Sequence, residues 1–546
     1  MLKLIQTSSL ETIYPKREQL LINPLDSFSV LKGERFSYQI AFCDPDASNY
    51  FKTYTVSVKS DLDVTVYSEE LVPATPTMKA TDGNYTQTEP FLCPDVLKET
   101  NSVKIFTWYR SVLISVEGCN TPGNHEITVS FLPDNSIMGQ YTDDIATETA
   151  EVKFNLTVLD AALPEQKLIY TNWFYADCIA DYYKVETFSE RHWELIESFM
   201  NAASRNGMIM ILTPVLTPPL DTAIGHERPT TQLAEITEKD GFYSFNFSKL
   251  ERWVKLAKKC GMKYLEINHL FTQWGAECAP KVVVNGEKRF GWHTKANSDE
   301  YMDFISQLLP ALTKFLEPLW DKDKIYFHIS DEPNDKHIDN YLNARKTIDK
   351  YLEGYVIMDA LSNPKFYDSG AVTLPVPATN HIKEFLERDI KERWCYYCIS
   401  QGLYTSNRFM CMPAYRNRSL GPQLFKANIA GFLHWGFNFY FNQYSLGSAN
   451  PFFQSDAGGC FASGDSFVVY PGEDGAMESL RLVVFHENLQ DLRAMQALSD
   501  KIGYEKTMEI IETALGYTPD FDKCAHSSEE ILNMRRAINK KLAEIN

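Results

Sequence analysis

Short runs of alternating apolar and polar residues fill the first part of the chain. Between residues 27 and 159 such runs occur at residues 36–42, 125–131 and 152–158, with Asp, Asn, Gly and Pro between them. A period of two, without any long helical pattern, is typical of an antiparallel β-sandwich. We therefore predict an N-terminal β-sandwich domain over residues 1–163.

After residue 164 the pattern changes to apolar runs that alternate with amphipathic stretches of helical period. The apolar run at residues 208–212, for example, lies between helical patterns at residues 189–206 and 247–260. Strands and helices that alternate over roughly 300 residues predict a parallel (β/α)8 barrel of the TIM type, here over residues 164–470. A doubly wound open sheet is the alternative, but no predicted strand is followed by the Gly-rich turn that binds phosphate in such folds.

The last part of the chain has apolar residues at helical spacing. The pattern runs from Met477 onward and is interrupted at Gly503 and Gly516. It predicts a C-terminal helical cap over residues 471–546, which packs on the barrel and carries no chemistry of its own. The predicted fold class is therefore a multidomain combination of β and α/β units.

Charge and composition exclude several classes of partner. The formal net charge is −19 and no basic stripe offsets it, so nucleic acid would be repelled over most of the surface. Residues 1–18 lack the apolar core of a signal peptide, and no apolar run is long enough to cross a bilayer. We therefore expect a cytoplasmic protein with no membrane contact. A homo-oligomer is a possibility that the sequence leaves open.

The cysteines do not indicate a disulfide framework or a metal site. Eleven of them are scattered along the chain, which is typical of reduced residues. Cys395 and Cys398 form a lone CxxC pair, whereas a zinc site needs a second pair or nearby histidines. We predict neither a metal nor another cofactor.

Two adjacent acids, Asp331 and Glu332, follow the apolar run at residues 325–329 and precede a helical pattern. In a (β/α)8 barrel the carboxyl ends of the strands form the rim that carries the active site. Pro333 disfavours the α region for the residue before it, so we expect both acids on an extended segment that faces the mouth. The alternative is structural, because the segment 330–334, Ser-Asp-Glu-Pro-Asn, is also an ordinary cap at a helix N-terminus.

The predicted strand ends bring aromatic, amide and acidic side chains to the same rim. Rings and amides of this kind stack on the C–H face of a sugar and orient its hydroxyl groups. Arg416 and Arg418 are the only cations that we place at the rim, which argues against a phosphorylated substrate. The other predicted rim residues are Asn172, Trp173, Tyr175, Asp177, Asn268, His269, Trp274, Asp359, Tyr396, Tyr397, Trp435 and Asn438.

A glycosidic bond is ordinarily cleaved with two carboxylates from different strands. Residues 395–400 and 432–440, where the last two predicted strands end, contain neither Asp nor Glu. A substrate with a 2-acetamido group supplies its own carbonyl oxygen as the nucleophile. In this hypothesis Glu332 protonates the leaving oxygen and later deprotonates water, while Asp331 stays ionised and holds the acetamido N–H.

Two alternatives to this hypothesis remain open. In the first, Asp359 or Asp177 is a conventional nucleophile for a sugar without an acetamido group. In the second, the barrel binds a glycan without cleaving it.

Four segments resemble, in the same order, those of glycoside hydrolase family 123. They read Phe-His-Ile-Ser-Asp-Glu-Pro at 327–333, Trp-Cys-Tyr-Tyr-Cys at 394–398, Asn-Arg-Phe at 407–409 with Tyr-Arg-Asn-Arg at 415–418, and Gly-Phe-Leu-His-Trp-Gly-Phe-Asn at 431–438.

The resemblance implies a β-sandwich followed by a (β/α)8 barrel. It also implies an exo-acting β-N-acetylgalactosaminidase that uses the acetamido-assisted retaining route, with Asp331 and Glu332 as its acid pair. Tyr396, Trp435 and Asn438 would then line the subsite for the terminal sugar of a glycan, and we add His269 and Trp274 as further candidate contacts.

Overall fold

The computed structural model describes residues 2–46, 52–76, 81–136, 148–333 and 335–545. Residue 334, the last of the predicted acidic segment, lies outside the described residues.

The N-terminal part consists of two five-stranded sheets. One sheet has the strand order β1-β3-β8-β5-β6 and the other has the order β2-β10-β9-β4-β7. The strands are β1 Lys3–Ser8, β2 Ser27–Lys32, β3 Phe36–Cys43, β4 Lys52–Lys59, β5 Asp63–Ala74, β6 Phe91–Glu99, β7 Ser102–Ile105, β8 Arg110–Glu117, β9 Gly123–Pro133 and β10 Ala150–Ala162.

Aromatic side chains fill the space between these sheets. Tyr38 of β3 stacks on Phe154 of β10 with ring centroids 4.2 Å apart, and Phe42 packs against Phe131. The alternation predicted from the sequence therefore corresponds to inward-facing residues. The sheets are antiparallel as predicted except at one pair, because β2 and β10 are parallel. These two strands are distant in sequence and no hairpin joins them, so parallel pairing is open to them.

The central part contains an eight-stranded parallel sheet with the order β20-β19-β18-β15-β12-β11-β22-β21. This order is that of a (β/α)8 barrel, in which the first strand in sequence lies between the second and the eighth. The barrel strands are β11 Ile169–Asn172, β12 Met210–Thr213, β15 Tyr264–Ile267, β18 Ile325–Phe327, β19 Val356–Ala360, β20 Leu374–Val376, β21 Trp394–Tyr396 and β22 Gly431–His434. Three hairpins add β13 Glu235–Lys239, β14 Phe242–Asn246, β16 Val282–Val284, β17 Glu287–Phe290, β23 Val469–Pro471 and β24 Ala476–Glu478.

The barrel is nearly closed rather than fully closed. The strands β20 and β21 are joined by two backbone hydrogen bonds just beyond the end of β20 rather than by a continuous ladder. Tyr396 N–H donates to Pro377 O at 3.0 Å, and Thr379 N–H donates to Tyr396 O at 2.9 Å. These bonds fix the carboxyl end of β21, where Tyr396 faces the mouth.

Helices follow the barrel strands and form the C-terminal part. They are α1 Ala176–Tyr183, α2 Glu190–Arg205, α3 Ser248–Lys259, α4 Asp299–Leu316, α5 Ile338–Ile348, α6 Lys365–Asp368, α7 Lys383–Leu386, α8 Ala414–Arg418, α9 Leu420–Lys426, α10 Leu480–Ile502, α11 Tyr504–Leu515 and α12 Ser528–Ile545. Among the described residues no helix has the length and apolar character needed to cross a membrane.

The helix α10 packs directly on the barrel. Its Phe485 contacts Tyr170 of β11 and Phe432 of β22, with ring centroids 4.7 and 5.6 Å apart. It therefore takes the place of the helix that follows the eighth strand. The domain boundaries at residues 163 and 470 stay predictions.

A buried network of charges joins the three parts of the chain. Arg418 donates to Asp491 at 2.7 and 3.0 Å and to Glu487 at 2.8 Å. Arg535 of α12 donates to Asp491 at 2.9 Å and to Glu34 of the sandwich part. Because all these groups are buried, each charge depends on its partners for solvation.

The two predicted rim cations are therefore structural. Arg418 belongs to the network just described, and Arg416 is fully buried against Asp82, whose two oxygens lie 3.0 and 2.9 Å from its Nη1. The sequence prediction that they line the mouth was wrong, because their acidic partners lie far away in sequence and draw both side chains into the interior.

Candidate active site

A cavity of about 140 Å³ opens at the carboxyl ends of the barrel strands. Aromatic rings and carboxyl groups share its wall, as the sequence predicts for a sugar-binding cleft. The lining includes Trp173, Trp274, Asp331, Glu332, Tyr396 and Trp435.

The backbone turns sharply between the two acids. Glu332 has a positive φ of 42°, a conformation that is uncommon for a residue other than glycine, and its N–H donates to Ala360 O at 3.1 Å. This turn replaces the extended segment that Pro333 led us to expect. Positive φ angles of this kind cluster at functional sites, and here the turn brings two neighbouring carboxyl groups to one cavity.

Each acid has a defined contact at the cavity. The hydroxyl of Tyr396 donates to Glu332 Oε1 at 2.7 Å. The backbone oxygen of Asp331 accepts from the N–H of Trp274 at 2.8 Å, which ties the acid pair to the loop that follows β15.

The surroundings of Asp331 disfavour its ionised form. Burial, reinforced by the neighbouring carboxylate of Glu332, raises the pKa of Asp331 well above its usual range, and the charge of His328 opposes this rise. The sequence hypothesis has Asp331 ionised, a state that these surroundings oppose. The reason is that Asp331 is the more enclosed of the two acids, while Glu332 reaches the surface.

Ser330 holds the Trp274 loop against the strand end that carries the acids. Its hydroxyl accepts from the N–H groups of Gly275 at 3.2 Å and Ala276 at 3.1 Å and donates to Thr272 O at 2.8 Å. Gly275 has a φ of 115°, and a Cβ there would lie 2.2 Å from the ring of His337. The position of Trp274 therefore depends on Ser330, which the sequence analysis considered only as part of a helix cap, and on Gly275, which it did not single out.

Two indoles at the cavity are fixed by hydrogen bonds to buried carboxylates. Trp435 Nε1 donates to Asp465 Oδ2 at 2.9 Å, and Trp173 Nε1 donates to Glu266 Oε1 at 2.7 Å. With its N–H directed into the protein, each ring is held in a single orientation, which suits stacking on a sugar.

Two of the predicted contacts lie behind the wall rather than in it. His269 is fully buried, stacks on His328 with ring centroids 4.3 Å apart, and has no hydrogen-bond partner for either ring nitrogen among the described residues. Asn438 is also fully buried, and its amide bonds the backbone N and O of Tyr175 at 2.8 and 3.0 Å. Of the five predicted contacts, the structure thus brings Trp274, Tyr396 and Trp435 to the cavity.

The two alternative nucleophiles are occupied by buried partners. Asp177 accepts two hydrogen bonds from Arg228, at 2.7 and 2.8 Å. Asp359 accepts from the N–H of Ile329 at 3.0 Å and from the hydroxyl of Tyr341. Both aspartates are almost completely shielded from solvent, so neither is presented to a sugar in the cavity.

Sequence reasoning missed a third carboxyl group at the cavity. Asp221 lies in the loop after β12, has a positive φ of 42°, and accepts from the N–H of Tyr444 at 3.0 Å. Burial raises its pKa to about 6 against the opposing effects of that hydrogen bond and of Arg228. No motif marks this loop, and only its position after a barrel strand could have suggested the residue.

A second, larger depression adjoins the cavity at Glu332 and Tyr396. Its volume is about 630 Å³, and amide and hydroxyl side chains dominate the rest of its lining. They include Ser362, Asn363, Asn380, Ser400 and Gln401. We call this depression the polar groove. Glu332 therefore stands at the border between an aromatic cavity and a polar groove.

Comparison with known proteins agrees with this fold. The model of the glycoside hydrolase 123 catalytic domain matches residues 173–498, so the chain belongs to this family of glycoside hydrolases. A search of curated proteins finds no match to the chain.

Among solved structures, the chain is similar to a family 123 glycoside hydrolase from Clostridium perfringens. The TM-score is 0.74 with 14% identity, and the match covers 100% of this chain and 98% of that one. At this identity the likeness shows a shared fold. A family 5 mannosidase from Rhizomucor miehei gives a TM-score of 0.36 with 9% identity, over 63% of this chain and 94% of the other, which is too low to support an argument.

Proposed function

We propose that the protein is a retaining exo-glycoside hydrolase that releases terminal β-linked N-acetylgalactosamine by acetamido-assisted catalysis. The observation that carries this proposal is the placement of Asp331 and Glu332 in one aromatic cavity to which β21 and β22 contribute no carboxylate. The preference for galactosamine rests on the resemblance to family 123. The related enzyme from Clostridium perfringens is described as acting on glycolipid glycans, which supports a glycan as the substrate here.

The two acids divide the work by position. Glu332, at the border of the polar groove, protonates the glycosidic oxygen and later removes a proton from water. Asp331 accepts a hydrogen bond from the acetamido N–H, and its negative charge stabilises the positive charge that develops when the carbonyl oxygen attacks the anomeric carbon. Burial and the neighbouring Glu332 carboxylate raise the pKa of Asp331, and a hydrogen bond from the acetamido N–H favours its ionised form.

The polar groove receives the leaving group. It shares Glu332 and Tyr396 with the cavity, so a bond cleaved at Glu332 leaves the terminal sugar on one side and the rest of the substrate on the other. The Nε2 of Gln401 donates to Asn380 Oδ1 at 2.9 Å, which turns the NH₂ group of Asn380 away from Gln401. Amides and hydroxyls in this arrangement suit the hydroxyl groups of a saccharide.

Asp221 supports a second candidate function. As a third carboxyl group in the lining it could serve a conventional double displacement on a sugar without an acetamido group. The acids follow β18, and the strand opposite β18 in the barrel is β22, where a nucleophile would face them. Asp221 follows β12 instead, so we favour a role for it in binding sugar hydroxyls. Covalent labelling of Asp221 by a 2-fluoro glycoside would support the second candidate.

The decisive experiment measures the hydrolysis of an aryl β-N-acetylgalactosaminide by the wild type and three variants. Glu332→Gln should abolish turnover of this aryl glycoside, and Asp331→Asn should be nearly as damaging. Glu353→Gln, at an exposed glutamate away from the cavity, is the matched control and should keep full activity. A thiazoline analogue of the cyclised intermediate should inhibit the wild type. Unchanged activity of Glu332→Gln would remove Glu332 from the mechanism.

A further inference from the structure

A buried chain of hydrogen-bonded charges lies beneath the cavity. His328 is fully buried, with its Nε2 2.6 Å from Glu266 Oε1 and its Nδ1 3.1 Å from Asp359 Oδ1. Both carboxylates are fully buried as well. The mechanism proposed above uses none of these three residues, although all of them lie within the barrel beside the acid pair.

The contacts around Glu266 and Asp359 favour a protonated His328. Glu266 accepts from Thr171 and Trp173 in addition to His328. Asp359 accepts from the backbone of residues 329 and 330 and from a tyrosine hydroxyl. Because all the groups around the two carboxyl groups are able to donate, the arrangement favours two carboxylates with a doubly protonated ring of His328 between them. Burial opposes this charge, but the two carboxylates raise the pKa of His328 to about 10.

Each end of this chain contacts a segment that lines the cavity. At one end Glu266 fixes the indole of Trp173, which lines the cavity. At the other end Asp359 binds the N–H groups of Ile329 at 3.0 Å and Ser330 at 3.4 Å, immediately before Asp331. The imidazolium of His328 lies between Glu266 and Asp359. It therefore sets the distance between the indole of Trp173 and the strand end that carries Asp331.

We infer that His328 is a positioning residue of the reaction, which holds Trp173 and Asp331 in register through Glu266 and Asp359. This inference rests on the proposed function of the acid pair. His328 touches no substrate and acts through the groups that do. Its charge also offsets those of Glu266 and Asp359, so that the three residues together carry one net negative charge.

The groups that face His328 define the expected pH effect. Glu266 on β15 and Asp359 on β19 form hydrogen bonds with His328, and the neutral ring of His269 stacks on it. The charge of His328 also opposes the rise in the pKa of Asp331. The active form holds one proton on the acid pair. Loss of the imidazolium makes each proton of the pair harder to remove, so both limbs of the pH–rate profile should move to higher pH.

The test compares His328→Gln with His192→Gln on the aryl β-N-acetylgalactosaminide. His192 is a matched control, because it is also fully buried and bonds through both ring nitrogens, but only to backbone groups at 2.8 Å. We expect His328→Gln to lower kcat by about 100-fold, the usual effect of a small misplacement of reacting groups, and to shift both pH limbs upward. His192→Gln should keep the wild-type profile. An unchanged kcat and profile in His328→Gln would overturn the inference.

Two further measurements keep the inference testable if His328→Gln does not fold. Asp359→Asn retains the shape of the site, and we expect the same loss of kcat, whereas a wild-type rate would overturn the inference. In the wild type, NMR of ¹⁵N-labelled histidine should show two N–H protons on His328 at pH 8, and a neutral ring would overturn it.

A bound metal is the other outcome that would overturn the inference. His269, His328 and Asp359 offer ligand atoms within 4.8 Å of one another, so stoichiometric metal in the purified protein would mean that His328 is a ligand and not an imidazolium. Lack of activity in the wild type would instead contradict the proposed function, and the NMR measurement would still decide the state of His328.

Discussion

The hydroxyl of Ser330 offers a sharp test of how the cavity is built. It satisfies three buried backbone groups, namely the N–H groups of Gly275 and Ala276 and the carbonyl of Thr272. The change Ser330→Ala removes all three hydrogen bonds and leaves these backbone groups without their partner at residue 330. We expect the loop that carries Trp274 to lose its fixed position relative to Asp331.

The magnitude follows from the number of bonds lost. A net contribution of about 1 kcal/mol for each hydrogen bond gives a cost of about 3 kcal/mol. If the whole cost lowers the fraction of molecules whose Trp274 loop is in the productive position, kcat/KM drops by about 100-fold, since 1.4 kcal/mol corresponds to a factor of ten. If part of it falls on the stability of the whole protein, the thermal midpoint falls as well.

The assay combines hydrolysis of the aryl β-N-acetylgalactosaminide with amide hydrogen exchange of the segment 274–276. Ser406→Ala is the matched control, because Ser406 is equally buried but its hydroxyl has no hydrogen-bond partner among the described residues. The control should leave activity and exchange unchanged. Wild-type exchange and wild-type kcat/KM in Ser330→Ala would refute the reasoning.

Two further predictions concern the charged residues. The pKa of Asp221 is raised to about 6, so its carboxylate is ionised above that pH and accepts stronger hydrogen bonds from sugar hydroxyls. KM should therefore fall as pH rises from 5 to 7, and Asp221→Asn should remove this trend, whereas the same slope in the variant would contradict the role of Asp221 in binding. In the buried network, Arg418→Met leaves Asp491 and Glu487 short of a partner, and the free energy of unfolding in urea should fall by about 3–5 kcal/mol. Lys541→Met, which breaks an exposed pair with Glu544, should leave the free energy of unfolding nearly unchanged, and equal effects of the two changes would contradict the burial argument.

The fold was largely predictable because its signals are local. Alternation of period two marked the sandwich strands, and the change to strand–helix alternation marked the barrel. The parallel pairing of β2 with β10 and the incomplete pairing of β20 with β21 depend on contacts between distant segments, which no local pattern records.

The candidate site was predictable in its centre but not in its surroundings. Asp331 and Glu332 stand out because two acids at a strand end are rare within a single motif. The proline rule excludes the α region for Glu332 but leaves a positive φ open, so the turn was not foreseen. Whether His269 faces the cavity or the core is decided by its stacking on His328, a residue of another strand end.

The placement of the two buried arginines could not be predicted for the same reason, namely that it depends on contacts between distant segments. Arg416 and Arg418 looked like rim cations because their partners, Asp82 and Asp491, belong to segments that meet only in the folded chain. Asp221 was missed for the opposite reason, since it lies in a loop without any recognisable motif and only the fold brings it to the cavity.

The central claim is that the substrate's acetamido oxygen, and not a protein carboxylate, attacks the anomeric carbon. It is tested most directly by kcat/KM for aryl β-galactosaminides whose N-acetyl group carries zero, one, two or three fluorine atoms. Fluorine withdraws electrons from the carbonyl oxygen, so the account predicts a steep and continuous fall across the series in the wild type. A flat series would contradict it and direct attention to Asp221 as the nucleophile.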